Sequence, residues 1–409
     1  MKILHTSDWH LGQRFLLNDR SEEQQAALDR VLQIIREEQV DLLLLSGDVF
    51  DIGNPPFPAR RIYYRFLRDL LGTCCRYVVI TGGNHDAPGM LEAPKELLQG
   101  LNIFVVGAAP ENPADMLLEL RDDQGRLEAV VAAVPFLRDR DLKSSIAGES
   151  AADRVQHLRK ALAAYFEALG EQAKAFEPAG VPILCTGHLY ASGADASGKQ
   201  DNIYIGDVEN IQADAFPSIF SYVALGHIHR AQKIGGRERV RYSGSLIPLS
   251  FSETRDEKSV TLLEYEGAWL QRIYERKIEG LRRLKTIEGS REEVKKALAD
   301  FAQRHADDPF RPWVEAIVHL DTVDPAIEEE LYGYCKSLHL ELLKLRIQQT
   351  HQPLQPETET ESLSELERLD VFRRRCAGSV NDPEALQELE ATFCELLEWM
   401  SEHHSPQPN

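Results

Sequence analysis

The sequence predicts a layered α/β domain followed by a smaller α+β unit, because short buried strands alternate with amphipathic helices along the chain. Five runs dominated by Val, Ile and Leu have the length and composition of strands that are buried on both faces. These runs are Lys2–Thr6, Asp41–Leu45, Tyr77–Ile80, Ile183–Cys185 and Tyr222–Leu225. Between the first two runs, apolar residues recur at helical spacing, which indicates an amphipathic helix. They are Leu28, Val31, Leu32 and Ile35.

Further elements complete this first domain. Pro58–Leu71 and Ala151–Leu169 have helical patterns, and Pro110–Val134 is typical of a hairpin inserted into a sheet. Arg239–Tyr265 is rich in strand formers, so we expect it to complete a second sheet.

A second unit with its own alternation of strands and helices follows. Its predicted strands are Arg283–Ile287, Trp313–Leu320 and Leu342–Ile347, with helices beginning near Ser290 and Asp324. Ser290 and Glu293 form a capping-box sequence, and Pro325 follows Asp324 as the first residue of the second helix.

The chain is therefore divided into four segments. Residues 1–275 form the first domain, 281–349 a small α+β domain, 350–361 a polar, acidic linker, and 362–409 a helical segment. The last segment holds two amphipathic helices, Ser362–Arg375 and Asp382–Ser401, each with a broad apolar stripe.

Composition restricts the class of protein. The chain has 409 residues, no apolar run long enough to span a bilayer, and an amino-terminal sequence unlike a secretory signal. Its 6 cysteines lack metal-binding or framework spacing, which favours reduced thiols in a cytoplasmic protein. The formal charge of −20 counts against nucleic-acid binding and, taken alone, favours a small-molecule enzyme.

Polar residues of metal-binding type follow all five buried strands. The candidate ligands are Asp8 and His10 after the first strand, Asp48 after the second, Asn84 after the third, His188 after the fourth, and His227 and His229 after the fifth. Ligands in open α/β sheets sit at the carboxyl ends of the strands, so we expect these seven side chains to converge.

The types of ligand select the chemistry. Imidazole, carboxylate and amide oxygen without thiolate suit Mn²⁺, Fe²⁺ or Zn²⁺, and seven ligands are enough for two ions that share a carboxylate. Each motif alone has an ordinary structural explanation, since a strand-end Asp is often a turn residue and a buried His is often a core residue. Their combination at successive strand ends favours a two-metal centre.

These motifs resemble those of the calcineurin-like metallophosphoesterase superfamily and, within it, the SbcD family of bacterial nuclease subunits. The resemblance is carried by Ile3–Gln13 (ILHTSDWHLGQ), Ser46–Asp51 (SGDVFD), Ala224–Gln232 (ALGHIHRAQ) and Val240–Ser252 (VRYSGSLIPLSFS). It covers about the first 270 residues and continues more weakly to the carboxyl terminus. The implied fold is the metallophosphoesterase fold, a layered β-sandwich core flanked by helices.

The resemblance also implies roles for the site residues. One metal would be held by Asp8, His10, Asp48 and His229, and the other by Asp48, Asn84, His188 and His227, with Asp48 bridging. His85 would be the catalytic histidine that stabilises or protonates the phosphodiester. Asp86 would either orient His85 or be a solvated turn carboxylate. Asp51 would mainly structure its loop.

One departure from a related subfamily bears on the substrate. Protein Ser/Thr phosphatases of this superfamily have an arginine where this chain has Ile52, and a glutamate where it has Asp86. The missing guanidinium fork would grip a phosphomonoester dianion, so its absence favours a phosphodiester.

The function implied is that of a metal-dependent DNA exonuclease and endonuclease using two divalent ions, Mn²⁺ or otherwise Mg²⁺. It would act with an SbcC-like coiled-coil ATPase, as a homodimer within a heterotetramer. Ile62, Phe66, Leu67 and Leu70 would offer a surface for the second copy, or pack on their own sheet. Residues 281–349 would be a capping domain over the active site, and the terminal helices of the partner-binding segment, 362–409, would dock on the ATPase. The alternatives are a free-standing metallophosphatase or phosphodiesterase acting on small substrates, and a scaffold on a degenerate phosphoesterase fold.

Overall fold

The computed structural model describes residues 1–142, 150–191, 211–320 and 324–349 and, nearer the carboxyl terminus, residues 372, 376 and 389–396. The chain forms two compact units, Met1–Gln349 and Thr350–Asn409. No helix among these residues is long and apolar enough to cross a membrane.

Twelve strands form two six-stranded sheets in the first domain. They are β1 (Lys2–Thr6), β2 (Leu42–Ser46), β3 (Tyr77–Thr81), β4 (Ile103–Val106), β5 (Leu117–Arg121), β6 (Leu127–Ala132), β7 (Ile183–His188), β8 (Tyr222–Gly226), β9 (Gln232–Ile234), β10 (Arg237–Tyr242), β11 (Ser259–Glu266) and β12 (Trp269–Lys277). The first sheet has the order β12-β11-β1-β2-β3-β4 and the second β5-β6-β7-β8-β10-β9. The segments β1 to β4 are parallel, as are β6, β7 and β8.

The helices of this domain follow the apolar stripes of the sequence. They are α1 (Ser21–Glu38), α2 (Phe57–Leu70), α3 (Pro88–Glu92), α4 (Lys95–Gln99) and α5 (Ala151–Ala173). Leu28, Val31, Leu32 and Ile35 of α1 are buried as predicted. Ile62, Phe66, Leu67 and Leu70 of α2 are also buried within the chain. They leave no surface for a second copy, so the prediction that they form one is wrong and the alternative, packing in their own core, is right.

Alternation along one strand explains the layering. Leu42 and Leu44 of β2 belong to the core that also contains residues of β7 and β8, whereas Leu43 and Leu45 pack in a second core with α1 and α2. Successive side chains of a strand point to opposite faces, so one face of β2 packs against the other sheet and the opposite face packs against helices. The predicted β-sandwich core with flanking helices is confirmed.

The end of the domain differs from the prediction that Arg239–Tyr265 completes the second sheet. Only β10 joins that sheet, beside β8, whereas β11 lies antiparallel to β1 in the first sheet. Leu262 and Leu263 on β11 are both buried, and they face different cores. Because these apolar residues would suit either sheet, the sequence does not indicate which sheet β11 joins.

The capping region folds as a parallel three-stranded sheet with two helices. Its elements are β13 (Leu284–Ser290), α6 (Arg291–Arg304), β14 (Trp313–Leu320), α7 (Ile327–Ser337) and β15 (Glu341–Gln349). The capping box of Ser290 and Glu293 is present. Helix α7 begins later than predicted, because Asp324 accepts the backbone N–H of Ala326 at 2.9 Å and Ala326 is the residue before the helix.

In the second unit, residues 372, 376 and 389–396 are helical, and the rings of Phe372 and Phe393 stack with centroids 4.2 Å apart. The predicted linker at 350–361 and most of the two predicted helices lie outside the described residues. The four segment boundaries stay predictions.

Candidate metal centre

The predicted ligands lie together where the two sheets meet. Strands β1, β2 and β3 of the first sheet lead to Asp8, His10, Asp48 and Asn84, and β7 and β8 of the second sheet lead to the other three histidines. The expected convergence at strand ends therefore occurs across two facing sheets.

One cluster contains Asp8, His10 and His229, whose ligand atoms all lie within 4.8 Å of one another. The rings of His10 and His229 are 5.1 Å apart, and His10 Nε2 lies 3.5 Å from Asp48 Oδ2. Asp8 and His10 are almost completely buried. These residues are the four that the resemblance assigns to one ion.

A second cluster surrounds Asn84. Its Oδ1 lies 2.9 Å from His188 Nε2 and 3.1 Å from His227 Nδ1. Asp48 Oδ2 lies 3.2 Å from the same nitrogen of His188. Asp48 thus faces both clusters, which is the position that a bridging carboxylate requires.

His85 lies beside these ligands with its ring fixed from behind. Its Nδ1 lies 2.7 Å from the backbone oxygen of Asp51, a geometry in which Nδ1–H donates and Nε2 is left to face the site. Its backbone N–H donates to Asp48 Oδ1 at 3.0 Å, and its ring centroid is 4.8 Å from that of His10. Asp51 also holds His10, through Nδ1 at 3.1 Å, so it does more than structure its own loop.

Asp86 performs neither of the roles expected of it. Its carboxylate is buried and accepts the backbone N–H groups of Gly83 at 2.9 Å, Val49 at 3.1 Å and Phe50 at 2.9 Å. It therefore ties the loop that carries Asp48 to the loop that carries Asn84. Burial and the nearby charge of Asp48 raise the pKa of Asp86 to about 6.

Sequence reasoning missed a group of buried residues behind His229. Glu253 Oε1 lies 3.3 Å from His229 Nδ1, and Lys258 donates to Glu253 Oε2 at 2.6 Å. Lys258 also donates to the backbone oxygen of His229 and to Ser245 Oγ, both at 2.9 Å. A charged residue in a loop after a strand has no local sequence signal that separates it from a solvated one.

The backbone is strained at four of the predicted ligands. Asp8, His10, Asp48 and His227 have φ values of +52°, +44°, +49° and +102°. A non-glycine residue at positive φ costs about 1–3 kcal/mol and persists only where surrounding contacts hold it. Such contacts are present: Asp8 N–H donates to the Gly47 oxygen at 3.1 Å, and His227 N–H donates to Asp8 Oδ1 at 2.9 Å.

Glycines allow the loops to crowd together. A Cβ at Gly47, where φ is +83°, would collide with the ring of His188, and one at Gly226 would collide with the backbone oxygen of Ser46. Both glycines directly precede predicted ligands, so side chains at these positions would push the two sheets' loops apart.

The protein alone arranges charge in a way that suits cation binding. Burial lowers the pKa of His10, but its hydrogen bond with Asp51 and the charges of Asp48 and Asp8 raise it overall to about 9. Burial also lowers the pKa of His188, but the charge of Asp48 outweighs it and raises that pKa to about 9. Burial would raise the pKa of Asp48, yet the histidines around it hold that pKa far below its usual value. The carboxylates of Asp8, Asp48 and Asp51 around these rings therefore make the site favourable for positive charge.

A buried nitrogen without a hydrogen-bond partner also indicates that the site binds a cation. His10 Nε2 is buried and has no hydrogen-bond partner among the described residues, although Nδ1 of the same ring is bonded to Asp51. Unpaired buried polar atoms are rare in native proteins. Imidazole, carboxylate and amide donors at this spacing fit divalent metal ions.

Comparisons with known proteins agree with this fold and centre. The family model for calcineurin-like phosphoesterases matches residues 1–131, which include the loops of Asp8, His10, Asp48 and Asn84. A second model, the SbcD carboxyl-terminal domain described as "Type 5 capsule protein repressor C-terminal domain", matches residues 280–379. The chain is thus a calcineurin-like metallophosphoesterase that uses divalent metal ions.

Curated relatives, one of them matched over its full length, give the narrower assignment. The SbcD component of the nuclease SbcCD from Escherichia coli (strain K12) is 36% identical over 99% of this chain and 100% of its own length. The SbcD proteins of Rhodobacter capsulatus and Bacillus subtilis are 40% and 32% identical, covering 65% and 64% of this chain and 67% and 66% of theirs. This chain belongs to the SbcD family of nuclease subunits. A solved dimetal phosphatase from Danio rerio aligns with 68% of this chain and 95% of its own, with a TM-score of 0.38 and 13% identity.

Proposed function

We propose that this chain hydrolyses DNA phosphodiester bonds with two metal ions held by Asp8, His10, Asp48, Asn84, His188, His227 and His229. The observation that carries the proposal is the position of Asp48, with Oδ2 3.5 Å from His10 Nε2 and 3.2 Å from His188 Nε2. Asp48 is the residue that two neighbouring ions would share. We further propose Mn²⁺ as the metal in use, since mixed imidazole and oxygen donors suit it better than Mg²⁺.

Two bound ions supply a nucleophile from water and charge to stabilise the leaving oxygen. The protein's own part is to place them and to add a proton donor. Asp51 and Glu253 orient His10 and His229 through their Nδ1 atoms, so the Nε2 atoms face the centre. His85, fixed by the backbone of Asp51, presents Nε2 to the same space and would stabilise or protonate the phosphodiester.

A DNA substrate is supported over a small phosphomonoester. The position of the guanidinium fork that grips a phosphate dianion is occupied here by Ile52, whose side chain is 53% exposed. Similarity to nuclease subunits extends over 99% of the chain, well beyond the residues that a free-standing phosphatase needs. The net charge of −20 is the opposing observation, and metal ions together with a basic partner would offset it.

We propose two protein partners, an SbcC-like coiled-coil ATPase and a second copy of this chain. The proposal of a dimer rests on exposed apolar residues of α2 and of the residue that follows it: Phe57, Tyr64 and Leu71 recur every seven residues and are 68%, 40% and 50% exposed. We also propose a cytoplasmic location, which the cysteine spacing suggests.

The test of dimerisation is light scattering at micromolar concentration. Wild type should have the mass of a dimer, and Tyr64→Glu should have that of a monomer with unchanged hydrolysis of a small diester. Lys277→Glu, an exposed change on β12, is the matched control. A wild-type monomer, unchanged by addition of the ATPase, contradicts the dimer.

The proposed function is tested by nuclease assays on plasmid-length and hairpin DNA with Mn²⁺ or Mg²⁺, with and without an SbcC-like ATPase. We expect metal-dependent cleavage of both, with duplex degradation stimulated by the ATPase and ATP. Hydrolysis of p-nitrophenyl phosphate with no action on diesters would favour the free-standing phosphatase instead.

A further inference from the structure

A strained turn lies shortly after the first metal-binding loop. Phe15 N–H donates to the Asn18 oxygen at 3.0 Å and Asn18 N–H donates to the Phe15 oxygen at 2.9 Å, so Leu16 and Leu17 form the two-residue tip. Both tip residues have positive φ, +46° for Leu16 and +71° for Leu17. Positive φ at both central residues is the mark of a type I′ turn, for which Asn-Gly is the favoured sequence.

Leucine is energetically unfavourable at both tip positions of such a turn, for two reasons. Its Cβ is disfavoured in the left-handed region, and here two consecutive residues adopt it. The side chains also gain nothing from burial, since Leu16 is 48% and Leu17 81% exposed. Stability of the free chain would favour Asn-Gly at these positions, so the apolar tip needs another explanation.

The base of the turn is packed against aromatic rings and held by hydrogen bonds. Phe15 is buried, with its ring centroid 5.1 Å from that of Phe251 and 5.5 Å from that of Trp313 on β14. The amide of Asn18 donates to the backbone oxygens of Phe15 at 3.2 Å and Leu16 at 3.1 Å. The two leucines are therefore presented on a fixed support.

The same support is joined to the metal centre. Gln13 N–H donates to the backbone oxygen of His10 at 2.9 Å. The Gln24 side chain donates to that oxygen at 3.0 Å and accepts from Gly12 N–H at 3.1 Å. Arg14, next to the turn, is exposed and forms no ion pair with the described residues. An exposed guanidinium and two exposed leucines thus follow His10 by only a few residues.

We propose that the Leu16–Leu17 tip contacts the bases of an unpaired DNA end or hairpin loop while Arg14 contacts the adjoining phosphates. Aliphatic side chains that enter between bases stabilise an unstacked strand, and an arginine binds the phosphate that alternates with each base. The turn would hold a separated strand against the metal centre and so favour ends and hairpins over intact duplex. This inference deepens the proposed function and rests on it.

The test uses the double variant Leu16→Asn, Leu17→Gly, which removes both side chains and suits the turn. We expect its thermal midpoint to equal or exceed that of wild type, because the strain is relieved. Mn²⁺-dependent hydrolysis of bis(p-nitrophenyl) phosphate should not change. The KM for hairpin DNA should rise at least about tenfold, and the fluorescence increase of 2-aminopurine in the hairpin loop should be lost.

Two control variants isolate the cause. Leu16→Met with Leu17→Met keeps the apolar contact and should retain the wild-type KM. Trp269→Ala removes a 78% exposed apolar side chain from the β11–β12 turn. That turn lies at the opposite end of the first sheet from the metal centre, since Lys2 at the start of β1 pairs with Glu264, and Trp269→Ala should also be wild type.

An unchanged KM and 2-aminopurine signal in the Asn-Gly variant would overturn the inference and leave the proposed function intact. Wild-type protein that hydrolyses the small diester but no DNA would overturn both. A fall in small-diester hydrolysis equal to the fall in DNA cleavage would show that the turn only supports the metal loop, which also overturns the inference.

Discussion

Lys258 and Glu253 form a buried ion pair, with Nζ 2.6 Å from Oε2 and both side chains only 4% exposed. The second oxygen of Glu253 lies 3.3 Å from His229 Nδ1, and Lys258 also binds the backbone oxygen of His229. The pair therefore fixes both the ring and the main chain of one predicted ligand. The ion pair lies behind the metal centre, where it orients the imidazole ring of His229.

Replacing Lys258 by Met should destabilise the protein and weaken metal binding at His229. Removal of one partner from a buried pair leaves an uncompensated charge, which costs about 3–5 kcal/mol. The free energy of unfolding by urea and the metal content after dialysis measure the two effects. In Lys277→Met the lost pair, with Glu257, is exposed, and we expect a change of about 0–1 kcal/mol. Equal effects of the two substitutions would contradict the role of Lys258.

Glu253 should also shape the response to acid. Burial opposes its ionisation, but the hydrogen bond with His229 and the charge of Lys258 lower the pKa of Glu253 to about 2 from an ordinary value of 4.5. A lowered carboxyl pKa contributes stability that is present above pH 4.5 and lost as the pH falls toward 2, on the order of 3 kcal/mol in full.

The measurement is the free energy of unfolding between pH 6 and pH 3 for wild type and Glu253→Gln. Because glutamine does not titrate, the variant should be less stable at pH 6 yet lose less stability on acidification. Glu257→Gln, with an exposed side chain, should follow the wild-type curve. Parallel curves for wild type and Glu253→Gln would show that Glu253 has an ordinary pKa.

The residues behind the ligands mark the limit of what the sequence can predict. The loops of Asp8, Asp48, Asn84, His188 and His227 lie where the sequence predicts them, because a buried strand followed by a small residue and a ligand type is a local pattern. Contacts between distant segments have no such pattern. The role of Asp86 escapes prediction because the three backbone N–H groups that it accepts depend on how two loops meet.

The backbone conformation of the site also cannot be predicted from the sequence. Positive φ is expected of glycine, and near the site Gly12 and Gly47 adopt it, at +91° and +83°. The structure also uses it at Asp8, His10 and Asp48, where side-chain identity predicts an ordinary conformation. Tertiary contacts impose this strain, and strain of that kind is characteristic of functional sites.

Metal loading should release protons at neutral pH. The acidic residues around His10 and His188 raise the pKa of each to about 9, so both are charged at pH 7 without metal and must lose a proton to bind it. About two protons per chain should appear when Mn²⁺ binds at pH 7, and apparent affinity should increase up to about pH 9. His227, whose pKa burial and His188 lower to about 3, should contribute none. Calorimetry in buffers of different ionisation enthalpy, at pH 7 and pH 9.5, counts the protons; equal release at both would contradict the prediction.

Substitutions of His85 and Asp48 should distinguish a role in catalysis from a role in metal binding. His85→Ala should keep about two metals per chain and lose about 10²–10⁴-fold in DNA hydrolysis, as expected for loss of a general acid. Asp48→Ala should lose both metals and activity, because Asp48 faces both clusters. Metal analysis and initial rates check both variants. His319→Ala, which removes a histidine paired with Glu288 on the capping sheet, is the control and should behave as wild type. An empty site in His85→Ala would make that residue a ligand.

The terminal segment should serve assembly with the ATPase. The sequence places Leu386, Leu389, Phe393, Leu396, Leu397 and Met400 on one face of a helix. Of the described members, Phe393 stacks on Phe372 of the preceding helix, whereas Leu389 and Leu396 are 43% and 50% exposed. Phe393 thus joins two helical segments and leaves leucines available to a partner helix in the helix-in-groove manner.

Removal of Ser362–Asn409 should therefore spare metal-dependent cleavage of single-stranded DNA and abolish ATP-stimulated degradation of duplex. The paired variant Leu389→Glu, Leu396→Glu should do the same in the full chain, because charged side chains in an apolar groove are costly to desolvate. Glu390→Lys, a polar change in the same helix, is the control. Co-purification with the ATPase, measured beside both activities, distinguishes the explanations. If the truncated chain binds the ATPase at full strength, the docking surface lies in residues 1–361, and the exposed leucines have another partner.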